Sequence, residues 1–217
     1  MAAIKGAIFD MDGLLLDTER LYRESWVAMA GEFGQRPDPA FPPAVSGTSG
    51  EEMLAVIRRH YPAVDPLAFR EGCMAYLNRL LEERGAPVKP GARELVAFFR
   101  GRGVKLAVAS SSALELIERN LRRAGLLSAF DALVSGQEAE RGKPEPDIFL
   151  LAAEKIGCPP ESCYVFEDSI NGVRAGIAAG CVTVMVPDLV PPPEGLTPRA
   201  VCASLTEAMA QIEAGRL

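Results

Sequence analysis

The chain has 217 residues, of which 48% are hydrophobic and 24% are charged, and its formal net charge at pH 7 is −6. A chain of this length and composition can bury a hydrophobic core, which excludes a disordered tail and a disulfide-stabilised mini-protein. The net negative charge and the absence of a long Lys/Arg run argue against a protein that binds nucleic acid.

Short apolar segments alternate with helical patterns along most of the chain. The apolar segments at residues 4–9, 104–109, 132–134, 164–166 and 182–186 are predicted strands. Strands that are apolar throughout are typical of a parallel sheet, because helices cover both of its faces. The sequence therefore predicts an α/β fold whose core is a Rossmann-like, doubly wound parallel sheet.

The interval between the first two predicted strands is too long for a single βαβ crossover. It contains three helical patterns and a proline-rich loop at residues 36–43, with no convincing strand. We therefore predict an α-helical cap domain at residues 18–87. It would be inserted into an α/β catalytic core formed by residues 1–17 and 88–217.

The sequence also bears on location and partners. No segment approaches the ~20 apolar residues that span a bilayer, and the first residues lack the pattern of a signal sequence. The five cysteines are odd in number and show no C-x-x-C spacing, so we expect buried, reduced thiols. We predict a cytoplasmic protein that binds neither nucleic acid nor a membrane, and a monomer, with an oligomer left open as the alternative.

Polar residues follow several predicted strands, at the edge where open α/β sheets bind ligands. Acidic residues follow the first and fourth strands, a serine follows the second, and a lysine lies in the loop after the third. These candidate site residues are Asp10, Asp12, Ser110, Lys143, Glu167 and Asp168.

Asp10 and Asp12 are spaced so that both carboxylates point to the same side if the strand geometry persists. One carboxylate can attack as a nucleophile or hold a metal, while the other donates and accepts a proton. Glu167 and Asp168 add negative charge, and four carboxylates without a counter-charge repel one another. A hard divalent cation such as Mg²⁺, bound through oxygen, would relieve this repulsion.

Lys143 and Ser110 indicate an anion site beside these carboxylates. The lysine supplies positive charge, and the serine hydroxyl precedes a predicted helix N-terminus. Together the residues favour transfer of a phosphoryl group to an aspartate and then to water or another hydroxyl.

Four motifs carry a specific resemblance. They read FDMDGLLLDTE at residues 9–19, VASS at 108–111, GKPEPD at 142–147 and VFEDSINGVRA at 165–175. In this order and spacing the chain resembles the haloacid dehalogenase-like hydrolase superfamily. Within it, the chain is similar to the branch of sugar-phosphate phosphatases and β-phosphoglucomutases that carries a helical cap.

The resemblance implies a role for each matching residue. Asp10 would be the nucleophile that becomes an aspartyl-phosphate, and Asp12 the general acid/base that also offers its backbone carbonyl to Mg²⁺. The phosphate-binding residues would be Ser110, Ser111 and Lys143. The metal-binding residues would be Asp10, Asp12, Glu167 and Asp168, with Glu167 acting either as a ligand or as a support.

Each motif taken singly also has a structural explanation. Asp12-Gly13 is a common turn, and the serines at residues 110–112 can cap the helix that follows them. Glu167 and Asp168 can likewise cap the helix that starts near Ser169. The four motifs together favour the functional interpretation.

Absences distinguish among the reactions of the superfamily. No lysine lies in the predicted cap, which argues against the Schiff-base chemistry of phosphonate-cleaving relatives, and the presence of Asp12 disfavours dehalogenation. Mutase relatives carry a cap histidine where this chain has Tyr22, and residues 45–50 offer no arginine. We predict a Mg²⁺-dependent phosphatase of small phosphorylated metabolites, phosphosugars or polyol phosphates.

Two alternatives stay open, a β-phosphoglucomutase-like phosphomutase and a catalytically idle binding module. Residues 45–52 are expected to face the active site and to set substrate choice.

Overall fold

The computed structural model describes residues 4–45, 48, 50–188 and 190–217. The chain divides into two compact units. The sheet unit comprises Met1–Asp17 and Pro87–Leu217, and the helical unit comprises Thr18–Ala86.

A parallel sheet forms the centre of the sheet unit. Its strands in the described part of the chain are β1 (Gly6–Phe9), β2 (Lys105–Ser110), β3 (Ala132–Ser135), β4 (Cys163–Glu167), β5 (Val182–Met185) and β6 (Ala200–Val201). All neighbouring strands pair in parallel, in the order β3-β2-β1-β4-β5-β6. The predicted α/β fold with a parallel sheet is confirmed.

Helices account for most of the remaining described residues. In chain order they are α1 (Thr18–Glu32), α2 (Phe41–Val45), α3 (Gly50–His60), α4 (Pro66–Arg84), α5 (Ala92–Gly101), α6 (Leu114–Arg123), α7 (Asp147–Lys155), α8 (Ile170–Ala178) and α9 (Leu205–Glu213). The first four belong to the helical unit and the last five to the sheet unit.

The central strands are buried on both faces, which explains why the residues inside them are largely apolar. Phe9 of β1 stacks on Phe166 of β4 with ring centroids 5.0 Å apart, and Phe99 of α5 packs against both rings. The alternate residues Ile8 and Val165 belong to a different apolar cluster, which includes residues of α7. Side chains of successive strand residues point to opposite faces, so each face needs its own helical cover.

The order of the strands positions the site. β1 pairs with β2 on one side and with β4 on the other, so the chain reverses its direction of growth across the sheet at β1. The loops that follow β1 and β4 flank the crevice in which sheets of this kind bind ligands. These loops carry Asp10, Asp12, Glu167 and Asp168.

The helical unit has its own aromatic core. Phe41 packs edge-on against Trp26, Tyr61 and Phe69, with centroid distances of 5.5, 5.0 and 6.0 Å. Asp65 caps α4, where its Oδ1 accepts hydrogen bonds from the backbone N–H groups of the first turn.

Several element boundaries differ from the sequence predictions. Helix α2 begins inside the predicted proline-rich loop, because Pro42 and Pro43 lie in its first turn, where no intrahelical N–H is needed. The short strand β6 and helix α9 were not predicted. Pro87 belongs to the sheet unit, one residue earlier than predicted, and its carbonyl accepts a 2.8 Å hydrogen bond from the backbone N–H of Asp17.

Of the segment expected to set substrate choice, residues 46, 47 and 49 lie outside the described residues. Val45, at the end of α2, is buried in the aromatic core of the helical unit.

The cysteines and the helix lengths bear on the predicted environment. All five cysteines lie among the described residues and are free thiols. Burial raises the pKa of Cys73, Cys163 and Cys181 to about 12, which makes these thiols poor nucleophiles. Within the described residues, no helix is both long and apolar enough to span a membrane.

Candidate active site

A buried lysine joins the carboxyl ends of the two central strands. The Nζ of Lys143 lies 2.5 Å from Oδ1 of Asp10, which follows β1, and 2.7 Å from Oε1 of Glu167, which ends β4. It also donates to the carbonyl of Ala109 in β2 at 3.3 Å. The structure thus brings Lys143 together with Glu167, 24 positions away in sequence, and with Asp10, 133 positions away.

Burial makes this ion-pair network sensitive to any loss of charge balance. Asp10 is 6% exposed and Glu167 is fully buried. Burial raises the pKa of Asp10 to about 8; Lys143 opposes this rise, while the charges of Glu167 and Asp12 add to it. Burial alone would lower the pKa of Lys143, but the charges of Asp10 and Glu167 outweigh it and raise that pKa above its usual value.

Asp12 faces a pair of serine hydroxyls on the neighbouring strand end. Its Oδ2 accepts hydrogen bonds from Oγ of Ser110 and Oγ of Ser112, each at 3.0 Å. Helix α6 begins after Ala113, which has no side chain able to cap it. The capping explanation for these serines is therefore wrong, because two of them bond to the carboxylate of Asp12.

Glu167 is held in place by the start of helix α8. Its Oε2 accepts hydrogen bonds from the backbone N–H and the hydroxyl of Ser169, at 2.8 and 2.9 Å. Ser169, and not Glu167 or Asp168, is the N-cap of α8. Gly172 leaves room for this arrangement, since a Cβ there would overlap the carboxylate of Glu167.

The remaining predicted residues occupy more open positions. Asp168 lies against the turn at Gly13, where a Cβ on the glycine would clash with its carboxylate. Gly13 also has a positive φ of 86°, so the turn favours glycine for two reasons. Ser111 is exposed, and its backbone lies against Gly136 after β3.

The donor atoms at this edge fit a hard divalent cation. Carboxylate oxygens are the ligands that such cations prefer, and Lys143 balances only part of the charge of four carboxylates. Among the described residues, however, no three Asp, Glu, His or Cys side chains converge closely enough to hold a metal ion by themselves. The carboxylate of Asp12 is directed toward Ser110 and Ser112, and that of Glu167 toward Lys143 and Ser169.

Comparison with known proteins gives the family. The model of the haloacid dehalogenase-like hydrolases matches residues 4–180. The chain belongs to this family of hydrolases. The resemblance inferred from the four motifs is confirmed, and the family implies a divalent metal.

Relatives of this haloacid dehalogenase-like hydrolase include named phosphatases. It is 37% identical over 188 residues to a protein of Drosophila melanogaster named probable pseudouridine-5'-phosphatase, covering 83% of this chain and 80% of that protein. It is 34% identical over 218 residues to hexitol phosphatase B of Escherichia coli (strain K12), covering 96% of each. A crystal structure of a family member from Deinococcus radiodurans R1, with bound phosphate and sodium, matches with a TM-score of 0.82 and 30% identity, covering 100% of this chain and 99% of that one.

Sequence reasoning missed three residues that shape the site of this hydrolase. They are Ser112, which bonds to Asp12, Ser135, which bonds to the backbone of Ser112, and Ser169, which bonds to Glu167. Ser135 ends β3 at the same edge of the sheet, so the rule that identified Ser110 would also have selected it.

Proposed function

We propose that this chain is a Mg²⁺-dependent phosphatase that acts through an aspartyl-phosphate on Asp10. Its substrates would be small phosphomonoesters, namely phosphosugars or polyol phosphates. One observation carries the proposal. A buried lysine contacts the carboxylate of Asp10, and the neighbouring Asp12 is hydrogen-bonded to serine hydroxyls at the carboxyl end of the adjacent strand.

In the first step, a carboxylate oxygen of Asp10 attacks phosphorus, and the bond between phosphorus and the ester oxygen breaks. Asp12 gives its proton to the departing alcohol oxygen, acting as general acid. Lys143 and the hydroxyl of Ser110 stabilise the negative charge on the transferring phosphoryl group, and the backbone N–H of Ser111 contributes to the same task.

In the second step, water attacks phosphorus of the aspartyl-phosphate, and the bond to the Asp10 oxygen breaks. Asp12, now deprotonated, accepts the proton of this water and returns to its starting state. The same side chain therefore acts as acid and then as base, and inorganic phosphate leaves.

A divalent cation would be held by carboxylates of Asp10 and Asp168 and the backbone carbonyl of Asp12, with Glu167 as a ligand or as a support. When bound, it would neutralise negative charge on the phosphoryl group and favour the ionised form of Asp10. Asp10 could then act as a nucleophile despite its burial.

The helical unit is proposed to act as the cap that selects the ester group. It contains Tyr22 at the position where mutase relatives carry a histidine, and the Tyr22 ring packs on Trp26 with centroids 5.7 Å apart. A ring engaged in this packing is poorly suited to hold a second phosphate, which supports transfer to water. The free, buried thiols favour a reducing compartment, and we propose the cytoplasm as the location.

A panel of phosphorylated metabolites tests the function directly. The purified protein with Mg²⁺ is expected to release inorganic phosphate from hexose, hexitol or pentose phosphates, with pseudouridine 5'-phosphate included in the panel. Phosphorus NMR of a hexose 1-phosphate distinguishes the mutase alternative, which would give the 6-phosphate. Lack of phosphate release from every ester would contradict the proposal and favour a binding module.

Removal of the metal is expected to abolish this activity and leave the fold intact. Excess EDTA should lower phosphate release by about 10²-fold or more, because Lys143 cannot by itself neutralise the carboxylates and the phosphoryl group. Addition of Mg²⁺ after removal of the chelator should restore the rate, while circular dichroism stays unchanged throughout. If the protein were dialysed against EDTA and kept its full activity in the presence of EDTA, this result would argue against a metal.

The variant Gly172→Ala is expected to lower kcat/KM for phosphate release by about 10²-fold, because small displacements of catalytic groups have effects of this size. The new Cβ would take the place of the Glu167 carboxylate, which must then leave Lys143. Gly101→Ala is the matched control, since a Cβ at Gly101 meets nothing within 4 Å. Equal kinetics of the two variants would contradict the role given to Glu167.

A further inference from the structure

The carboxylate of Asp12 is hydrogen-bonded by serines from a single turn. Ser110 and Ser112 each donate from Oγ to the same oxygen, Oδ2, at 3.0 Å. Ser110 is 1% exposed and ends β2, whereas Ser112 lies in the loop before α6. The family motif accounts for Ser110, and the function proposed above gives Ser112 no task.

Ser110 cannot donate a hydrogen bond to Asp12 and to a phosphoryl oxygen at the same time. A serine hydroxyl has one proton to donate, and in this structure the Ser110 proton is directed at Asp12. Its oxygen already accepts a hydrogen bond from the backbone N–H of Ser112 at 3.1 Å. If Ser110 donates to a bound phosphoryl group, Ser112 remains as the serine that bonds to Asp12.

Ser112 is itself fixed by the neighbouring strand. The hydroxyl of Ser135, which ends β3 and is 1% exposed, donates to the Ser112 carbonyl at 2.7 Å. Its oxygen accepts from the backbone N–H of Gln137 at 3.1 Å. The backbone N–H of Gly136 donates to the Ser110 carbonyl at 2.8 Å. Residues at the end of β3 therefore form hydrogen bonds with the segment Ser110–Ser112 at both of its ends.

We propose that Ser112, held by Ser135, is a positioning residue that keeps Asp12 aimed at the ester oxygen while Ser110 binds the phosphoryl group. We call Ser112 and Ser135 the serine brace. This inference rests on the proposed phosphatase function, and it concerns a group that touches neither the phosphorus nor the leaving alcohol.

The chemistry of the leaving group provides a selective readout. When the bond between phosphorus and an alkyl ester oxygen breaks, the departing alkoxide needs the proton that Asp12 supplies. 2,4-Dinitrophenolate is stable as an anion and leaves without that proton. Since kcat/KM reports steps up to formation of the aspartyl-phosphate, loss of the serine brace should affect the alkyl ester selectively.

The test compares Ser112→Ala with Ser112→Thr on sorbitol 6-phosphate and 2,4-dinitrophenyl phosphate, with Mg²⁺ present. Ser112→Ala is expected to lower kcat/KM for the sorbitol ester by about 10-fold or more, and for the dinitrophenyl ester by less than about 2-fold. Ser112→Thr keeps the hydroxyl and should restore most of the loss. Urea unfolding should show that both variants are folded.

Ser135→Ala tests whether Ser135 acts through Ser112. Alone, it should lower kcat/KM for the sorbitol ester, because the Ser112 carbonyl loses its hydrogen bond. In the Ser112→Ala background it should cause no further loss, since the hydroxyl that it positions is already gone.

Three outcomes would overturn the inference: equal losses on the two esters, no loss on either, or independent effects of the two serines. Failure of the proposed function would look different, because the wild-type protein would then release phosphate from neither ester, and this would overturn both proposals.

Discussion

Replacement of Asp10 by Asn is expected to lower phosphate release by about 10³-fold or more, the size of effect seen when a nucleophile is removed. The amide keeps the shape of the carboxylate but cannot form the aspartyl-phosphate. Steady-state kinetics on the best ester of the metabolite panel provide the measurement, and circular dichroism checks the fold.

The fold should survive this change. Burial raises the pKa of Asp10 to about 8, which means that the charged carboxylate is costly at this position, and a neutral amide removes that cost. Lys143 keeps Glu167 as a partner at 2.7 Å. We therefore expect a folded, inactive protein.

Glu118→Gln is the matched control for the loss of a carboxylate. Glu118 lies on α6, its side chain is 45% exposed, and its Oε2 forms an ion pair with the guanidinium of Arg122 at 3.7 Å. An exposed pair of this kind contributes little to stability, so this variant should keep wild-type kinetics. Retention of activity by Asp10→Asn would rule out the covalent mechanism.

Replacement of Lys143 by Met is expected to affect both activity and stability. The side chain of Lys143 is 8% exposed and is paired with two buried carboxylates. Its loss leaves Asp10 and Glu167 without their shared counter-charge, and breaking a buried pair in this way costs about 3–5 kcal/mol. Urea unfolding should report this loss, and phosphate release should fall by about 10²-fold or more.

Lys155→Met is the matched control, because it separates the effect of losing a buried lysine from the effect of losing any lysine that forms an ion pair. Lys155 lies 2.5 Å from Oε2 of Glu138, as close as Lys143 lies to Asp10, but its side chain is 33% exposed and that of Glu138 is 35% exposed. Water solvates the remaining charge in this variant, so we expect a loss below about 1 kcal/mol and normal kinetics. Similar unfolding curves for the two variants would contradict the role assigned to the buried network.

The strands of the sheet were largely predictable because burial of a strand requires a run of apolar residues, which is visible in the local sequence. β1 and β4 are covered on both faces, so their residues before Glu167 are largely apolar, and the pattern is visible without knowledge of their partners. β6 has two residues and one of them is exposed, so its sequence shows no such apolar run. Helix α2 was not predicted from the sequence because prolines usually end helices, although the first turn of a helix accepts them.

The site was predictable as a set of residues, and its pairings were not. The rule that ligands lie at the carboxyl ends of parallel strands selects Asp10, Ser110 and Glu167 from sequence. It does not indicate that Lys143 bridges two of these ends, or that the carboxylate of Asp12 turns toward serines. Those contacts depend on strand order and on side-chain conformations, which join residues about a hundred positions apart.

The sequence by itself determined the sheet architecture, the family and the residue types gathered at the strand ends, because strand burial and the four motifs are local properties. Only the tertiary structure decided which carboxylate faces which partner, since β2 and β4 flank β1 and bring their distant ends together. The serine brace belongs to this second kind of information. Its hydrogen bonds link the carboxyl ends of β1, β2 and β3. In the sequence, Ser112 is one of three consecutive serines, and nothing in the local pattern shows which of them contacts Asp12.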